Sequence, residues 1–279
     1  MSTIIVATDL SQIARNAALY AADMAAAVHA ELFLLHVYVP PVNMGDIMVP
    51  LMYDTWKKEA ELEMVALKRM VMRQSMRPIH VRWEVRVGIY LTELKGACAR
   101  LNPYSVVIGA TGTTGAERVL FGSHAIITMK QLSWPVICVP PEAHFNIIRR
   151  IGLACDFEQV VRTVPFQEIE HLIKDFNAEL HVLHIGREES INRAALSGAG
   201  SLLDHLKTVK PQFHFIQQED IDEGILDFVQ QHALDLLIIL PKRHRFLEAL
   251  LHRSHTRQFV LHNHVPLMAM HVPQNRNGW

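Results

Sequence analysis

Val106-Val107-Ile108-Gly109-Ala110-Thr111-Gly112-Thr113-Thr114-Gly115-Ala116-Glu117-Arg118-Val119-Leu120-Phe121-Gly122-Ser123 decides the fold. A short apolar run enters a glycine-rich stretch, and a helical pattern leaves it from Ser123 to Leu132. The order is strand, glycine loop, helix. Glycine puts no Cβ between the backbone and a ligand, and it adopts positive φ without strain. Backbone N–H groups in such a loop converge on an anion, and the following helix adds its own free N–H groups and the positive end of its dipole. Ser123 stands at the N-cap position, where a hydroxyl serves either the helix or a phosphate. No Lys-Ser/Thr pair closes the loop, so it is not a Walker A loop, and its glycine spacing is not the dinucleotide-binding fingerprint. A tight βα turn that binds nothing is the plain alternative.

Working outward, the first half of the chain repeats the strand-helix alternation. Ile4–Ala7 is a short buried strand, and Ile13, Ala17, Tyr20, Ala21, Met24 and Val28 then mark one helical face. Leu32–Val37 is continuously apolar, as a parallel strand covered on both faces must be. After Pro40-Pro41, a loop runs to about Pro50. Met52, Trp56, Ala60, Met64, Leu67 and Val71 then mark a long helix. Ile79, Val81, Trp83, Val85 and Val87 alternate with His80, Arg82, Glu84 and Arg86, the period of a strand at or near a sheet edge. Leu91, Leu94, Cys98 and Leu101 give another helix, and Pro135–Val139 a fifth strand. Repeated βα units predict a doubly wound parallel sheet.

The pattern then recurs in order. Ile4-Ile5-Val6-Ala7-Thr8-Asp9-Leu10 returns as Ile151-Gly152-Leu153-Ala154-Cys155-Asp156-Phe157, and Ala30–Val37 returns as Ala178–Ile185. Tyr104–Gly109 matches Asp235–Leu240, Ser123-His124 matches Ser254-His255, and Trp134-Pro135-Val136 matches Val265-Pro266-Leu267. Two copies of one domain follow, over residues 1–142 and 147–273, with a tail at 274–279. Ser197-Gly198-Ala199-Gly200 reads as a break or a flexible helix start.

Composition sets bounds on function. Of 279 residues, 50% are hydrophobic and 20% charged, and the formal net charge is −1. That balance gives no electrostatic case for nucleic acid. Cys98, Cys138 and Cys155 all lie in apolar segments, and an odd, sparse set argues against a disulfide framework. The apolar runs are strand-length, far short of the roughly 20 residues of a membrane span. No signal-peptide pattern opens the chain. The expectation is a cytoplasmic α/β protein without a membrane partner.

The loop's spacing is Gly109-x2-Gly112-x9-Gly122-Ser123. In this it resembles the universal stress protein family, whose ATP-binding members carry G-x2-G-x9-G-[S/T]. The resemblance implies tandem flavodoxin-like, adenine-nucleotide-α-hydrolase-like domains. Each has a five-stranded sheet of order 3-2-1-4-5, and the two pack as an internal pseudo-dimer through their last strands, compatible with a further homodimer. Ligands of such sheets bind where strand order reverses, at the carboxyl ends of the strands. Carried over to this chain, the nucleotide site comprises Ala7, Thr8, Asp9, Val39, Gly109, Gly112, Gly122, Ser123 and His124. The implied ligand is ATP or AMP, with or without Mg2+. Asp9 suits the adenosine end because a carboxylate accepts from ribose hydroxyls or adenine N–H; with Ser11, it also suits a plain helix cap.

In the second copy, Gly109, Gly112 and Gly122 align with Leu240, Arg243 and Arg253; only the serine persists, as Ser254. Pro241 removes a donor, and bulky side chains block close approach. The expectation is one nucleotide per chain, in the first copy. Lys242, Arg243, Arg245 and Arg253 form either an anion grip or an ordinary solvated loop. His252, His255, His262, His264 and His271 crowd the C-terminal end, but no carboxylate or cysteine completes a set, so no metal ligand is assigned. His184-Ile185-Gly186-Arg187 lacks the final histidine of the class I synthetase HIGH signature. Glu117 and His124 are the only titratable candidates for water activation near the loop, and no catalytic residue is assigned. The leading expectation is a nucleotide-binding regulatory protein of the stress response. A nucleotide-free assembly module and a slow ATP hydrolase are the other classes.

Overall fold

A computed structural model describes residues 2–39, 49–110, 123–155, 164–186, 193–218, 221–241 and 265–272. Contacts divide the chain into two compact units, Met1–Gly109 and Ala110–Trp279.

The first unit runs β1 (Thr3–Thr8), α1 (Gln12–Ala27), β2 (Glu31–Tyr38), α2 (Val49–Gln74), β3 (Val81–Val87), α3 (Tyr90–Leu101) and β4 (Ser105–Gly109). Its strands stand in the order β3-β2-β1-β4, and every pairing is parallel. β1 is buried along its whole length, and Ile4, Ile5 and Val6 are fully covered. α1 lies on the sheet through Ala14, Ala17, Ala18, Ala21, Ala22 and Ala25, whose small side chains allow a close approach, with Tyr20 and Met24 filling the gaps. β3 takes the edge, and its alternation of exposed arginines with half-covered apolar residues follows from that place.

The second unit contains α4 (Ser123–Gln131), β5 (Val136–Val139), β6 (Arg150–Ala154), α5 (Phe166–Phe176), β7 (Glu179–Gly186), α6 (Arg193–Leu206), β8 (Gln212–Gln217), α7 (Ile221–Gln231), β9 (Leu236–Ile239) and β10 (Leu267–Ala269). Its strand order is β5-β10-β9-β6-β7-β8. Counted from β6, the second copy's strands read 3-2-1-4-5, the order that the resemblance implies. All these pairings are parallel except one. β5, the last strand of the first copy, meets β10 antiparallel, with Leu267 opposite Cys138 and Ala269 opposite Val136. All seven of these strand residues are buried.

The duplication is visible in backbone detail. His29 and Asn177, matched by the repeat, are both left-handed, at φ 53° and 49°. So are Asn102 and Ala233, at 41° and 46°. Each ends a helix, where a left-handed residue lets the last carbonyls find donors. Ala30 N–H reaches the Ala25 carbonyl at 2.8 Å, and Ala178 N–H reaches that of Ile173 at 3.0 Å. His36 Nδ1–H donates to the Thr8 carbonyl at 2.8 Å, and the matched His184 lies 3.4 Å from the Cys155 carbonyl.

One expectation fails. Ser197–Gly200 neither breaks nor starts a helix, because α6 runs through it from Arg193 to Leu206. Leu202 and Leu206 are fully buried. Their burial outweighs a glycine penalty of about 1 kcal/mol per residue in a helix.

Candidate functional site

In the first unit, the chain leaves β1 outward to β2 and β3 and returns as β4 on the other side of β1. Strand order therefore reverses between β1 and β4, where Val6 stands opposite Val107. A crevice at the carboxyl ends of these two strands is the expected ligand position.

The turn after β1 is tightly determined. Ala7 and Thr8 are buried, and Thr8 Oγ1 accepts the Leu10 N–H at 3.0 Å. Asp9 is exposed, and its Oδ1 accepts the Ser11 N–H at 3.0 Å. Ser11 is the N-cap of α1, its hydroxyl accepting the Ala14 N–H at 3.2 Å. Leu10 is left-handed at φ 66°, a costly state for a residue with a branched side chain. Arg15 holds it there, donating from Nε to the Leu10 carbonyl at 3.1 Å while its terminal nitrogen pairs with Glu63 at 2.8 Å. Such imposed backbone strain is a feature of ligand-binding turns. Ser11 thus takes the cap and Asp9 the turn. The second carboxylate oxygen of Asp9 has no partner among the described residues, so it remains able to accept from a ligand. Val39, just past β2, is 66% exposed.

Gly109 ends β4. A Cβ there would meet the Ile13 side chain and backbone within 3.2 Å, so close packing of α1 on β4 already requires a glycine. Gly112 and Gly122 lie outside the described residues. Ser123 is the first residue of α4. His124 is exposed, and its carbonyl accepts the Thr128 hydroxyl at 2.6 Å. Lys242, Arg243, Arg245, Arg253, His252, His255, His262 and His264 also lie outside the described residues. His271 is buried, and its Nε2–H donates to the Met129 carbonyl at 2.8 Å, which accounts for it as a core histidine. Among the described residues, the histidines that do gather are His181, His214 and His232, which lie far apart in the sequence and share no periodicity. No helix among the described residues is long and apolar enough to cross a membrane.

The family model for the universal stress protein family matches residues 1–140. The chain is similar in structure to a universal stress protein from Archaeoglobus fulgidus DSM 4304, with a TM-score of 0.70, 17% identity, and 97% of this chain and 98% of that one covered. It is also similar to a putative universal stress protein from Pseudomonas aeruginosa UCBPP-PA14, with a TM-score of 0.56, 12% identity, and 96% and 92% covered. At such identities the likeness is one of fold. No curated protein matches the sequence. With half the chain matched by the family model, and with the strand order and strand-end turn described above, this chain belongs to the universal stress protein family.

Proposed function

We propose that this chain is a nucleotide-binding regulatory protein of the stress response that holds one adenine nucleotide, ATP or AMP, in its first copy. The two copies are residues 1–142 and 147–273, and the protein acts in the cytoplasm. The observation that carries this reading is the Gly109-x2-Gly112-x9-Gly122-Ser123 motif leaving the end of β4, beside the strand at which strand order reverses. Asp9 receives the ribose or adenine through its unengaged oxygen. The backbone of Ala7, Thr8 and Val39 borders the adenosine end. The glycine loop gives N–H groups to the phosphates, and Ser123 and His124 stand at the start of the helix that follows. With Arg243 and Arg253 at the matching positions, the second copy lacks the loop and holds no nucleotide in this manner. Nothing in the motif calls for turnover. Occupancy itself is the signal, biasing conformation or partner binding.

The test is calorimetric titration of ATP and AMP into the full chain and into Gly112→Arg, preceded by release of any co-purified small molecule. The expected result is one site per chain, abolished by the substitution. Two sites would overturn the assignment of the second copy. No binding at millimolar ATP would leave the chain an assembly module.

A further inference from the structure

We propose that His181, His214 and His232 form a transition-metal site, suited to Zn2+, in the second copy. His181 projects from β7 and His214 from β8, on the same face, because His214 pairs with Leu183, two residues along from His181. His232 follows the end of α7. One ring nitrogen from each lies within 4.8 Å of the others, and His181 Nδ1 is 3.1 Å from His214 Nε2. Two imidazoles on a tetrahedral Zn2+, with bonds of about 2.0–2.1 Å, hold their nitrogens roughly 3.3–3.4 Å apart. The His181–His214 pair, at 3.1 Å, is slightly closer than that, and modest ring rotations bring it and His232 to that spacing. His181 is buried while His214 and His232 are half-buried, so the cluster is supported from within and open to entry from solvent.

The surroundings fit a ligand set. Glu179 Oε2 stands 3.6 Å from His181 Nε2, a nitrogen with no hydrogen-bond partner within 3.5 Å among the described residues. Glu179 is largely exposed and free to close that gap. A carboxylate accepting Nε2–H fixes the tautomer that leaves Nδ1 as the metal ligand, the usual outer arrangement of a metal-bound histidine. The metal then takes the place of the proton shared between His181 and His214. Phe228 walls the site, its ring centroid 4.2 Å from that of His232 and 4.8 Å from that of His214. Arg150, an opposing charge that acts on His181, has its guanidinium turned to the His232 carbonyl at 3.1 Å.

The cluster is peculiar to the second copy. At the matching places, the first copy has Phe33, Glu84 and Leu101, and there Arg82 lies over the Phe33 ring at 5.5 Å. His181 and His214 sit in the amino-terminal halves of β7 and β8, away from the strand ends where a nucleotide would bind. The inference therefore does not depend on the nucleotide reading.

The test uses the full chain, stripped with chelator and titrated with Zn2+ alone, with Co2+ absorption as a reporter of tetrahedral nitrogen ligation. The wild type should take up one ion per chain and melt at a higher temperature with it. His181→Phe, His214→Gln and His232→Leu should each weaken uptake at least ~100-fold and Glu179→Gln ~10-fold, beyond and at the lower end of the range for outer-sphere partners. His252→Ala/His255→Ala should bind as the wild type does. His181 is buried, so His232→Leu, at a half-exposed helix end, carries the test if His181→Phe does not fold. The proposal is overturned if the wild type takes up no ion at micromolar Zn2+, or if folded His232→Leu binds as well as wild type.

Discussion

The position a Cβ would occupy on Gly109 is 2.9 Å from Ile13 Cγ2 and 3.1 Å from the Ile13 carbonyl oxygen. The last residue of β4 therefore touches the first turn of α1 backbone to backbone, and the glycine loop starts from that contact. Gly109→Ala should push α1 off the sheet and cost about 1–3 kcal/mol, the usual penalty of overpacking. Urea unfolding of the full chain would show it as a lower midpoint. An unchanged midpoint would mean that Ile13 yields freely.

Ser11 and Asp9 share the turn after β1 but divide the work. Ser11→Ala removes the cap of α1 and should lower stability by about 1 kcal/mol. Asp9→Asn keeps an oxygen for the Ser11 N–H, so stability should stay within about 0.5 kcal/mol of wild type. ATP affinity should fall roughly 10-fold or more, the worth of one charge-assisted hydrogen bond. Wild-type affinity in Asp9→Asn would reduce Asp9 to a turn residue.

Glu31, on β2, is bonded to the strands on either side, to Thr3 of β1 and Arg82 of β3. Burial by itself raises its pKa, but hydrogen bonds from Arg82, Thr3 and His80 outweigh this and hold the carboxyl below its ordinary value of 4.5. Arg82 grips it through two nitrogens, Thr3 donates at 3.0 Å, and His80 lies at 3.2 Å. Because the folded pKa is the lower one, folding favours the ionised form. That stabilisation is present above pH 4.5 and is lost as pH falls through the folded value. Glu31→Gln should therefore flatten the loss of stability on acidification below pH 4.5, measured by thermal melts across that range.

The thiols of Cys98 and Cys138 should be inert in the folded protein. Burial pushes Cys98 up to about 12 and raises Cys138 further, so neither supplies appreciable thiolate near neutrality. An aromatic disulfide reagent at pH 8 should leave both unmodified in native protein and label both in guanidinium, as read by peptide mass. Rapid native labelling of Cys98 would show that α3 opens readily.

Local pattern alone carried much of the fold. The period of two in Val81–Val87 marks an edge strand because one face of that strand meets water. The apolar runs Ile4–Ala7 and Leu32–Leu35 mark central strands because neither face does. The glycine-serine spacing points to the family, and the internal repeat to two copies of one domain. Ser197–Gly200 misled, because glycine's local cost is overridden by the leucines that α6 buries further along.

The sequence by itself determined the succession of strands and helices, the duplication and the loop that only the first copy retains, since each depends on residues near one another in the chain. Tertiary structure decided the rest. It set β5 against β10 in antiparallel register, made Gly109 answer to Ile13, gave the cap to Ser11 and the turn to Asp9, and drew His181, His214 and His232 together. Most of these contacts join residues far apart in sequence, and strand pairing and helix docking set their distances, so no periodicity could announce them.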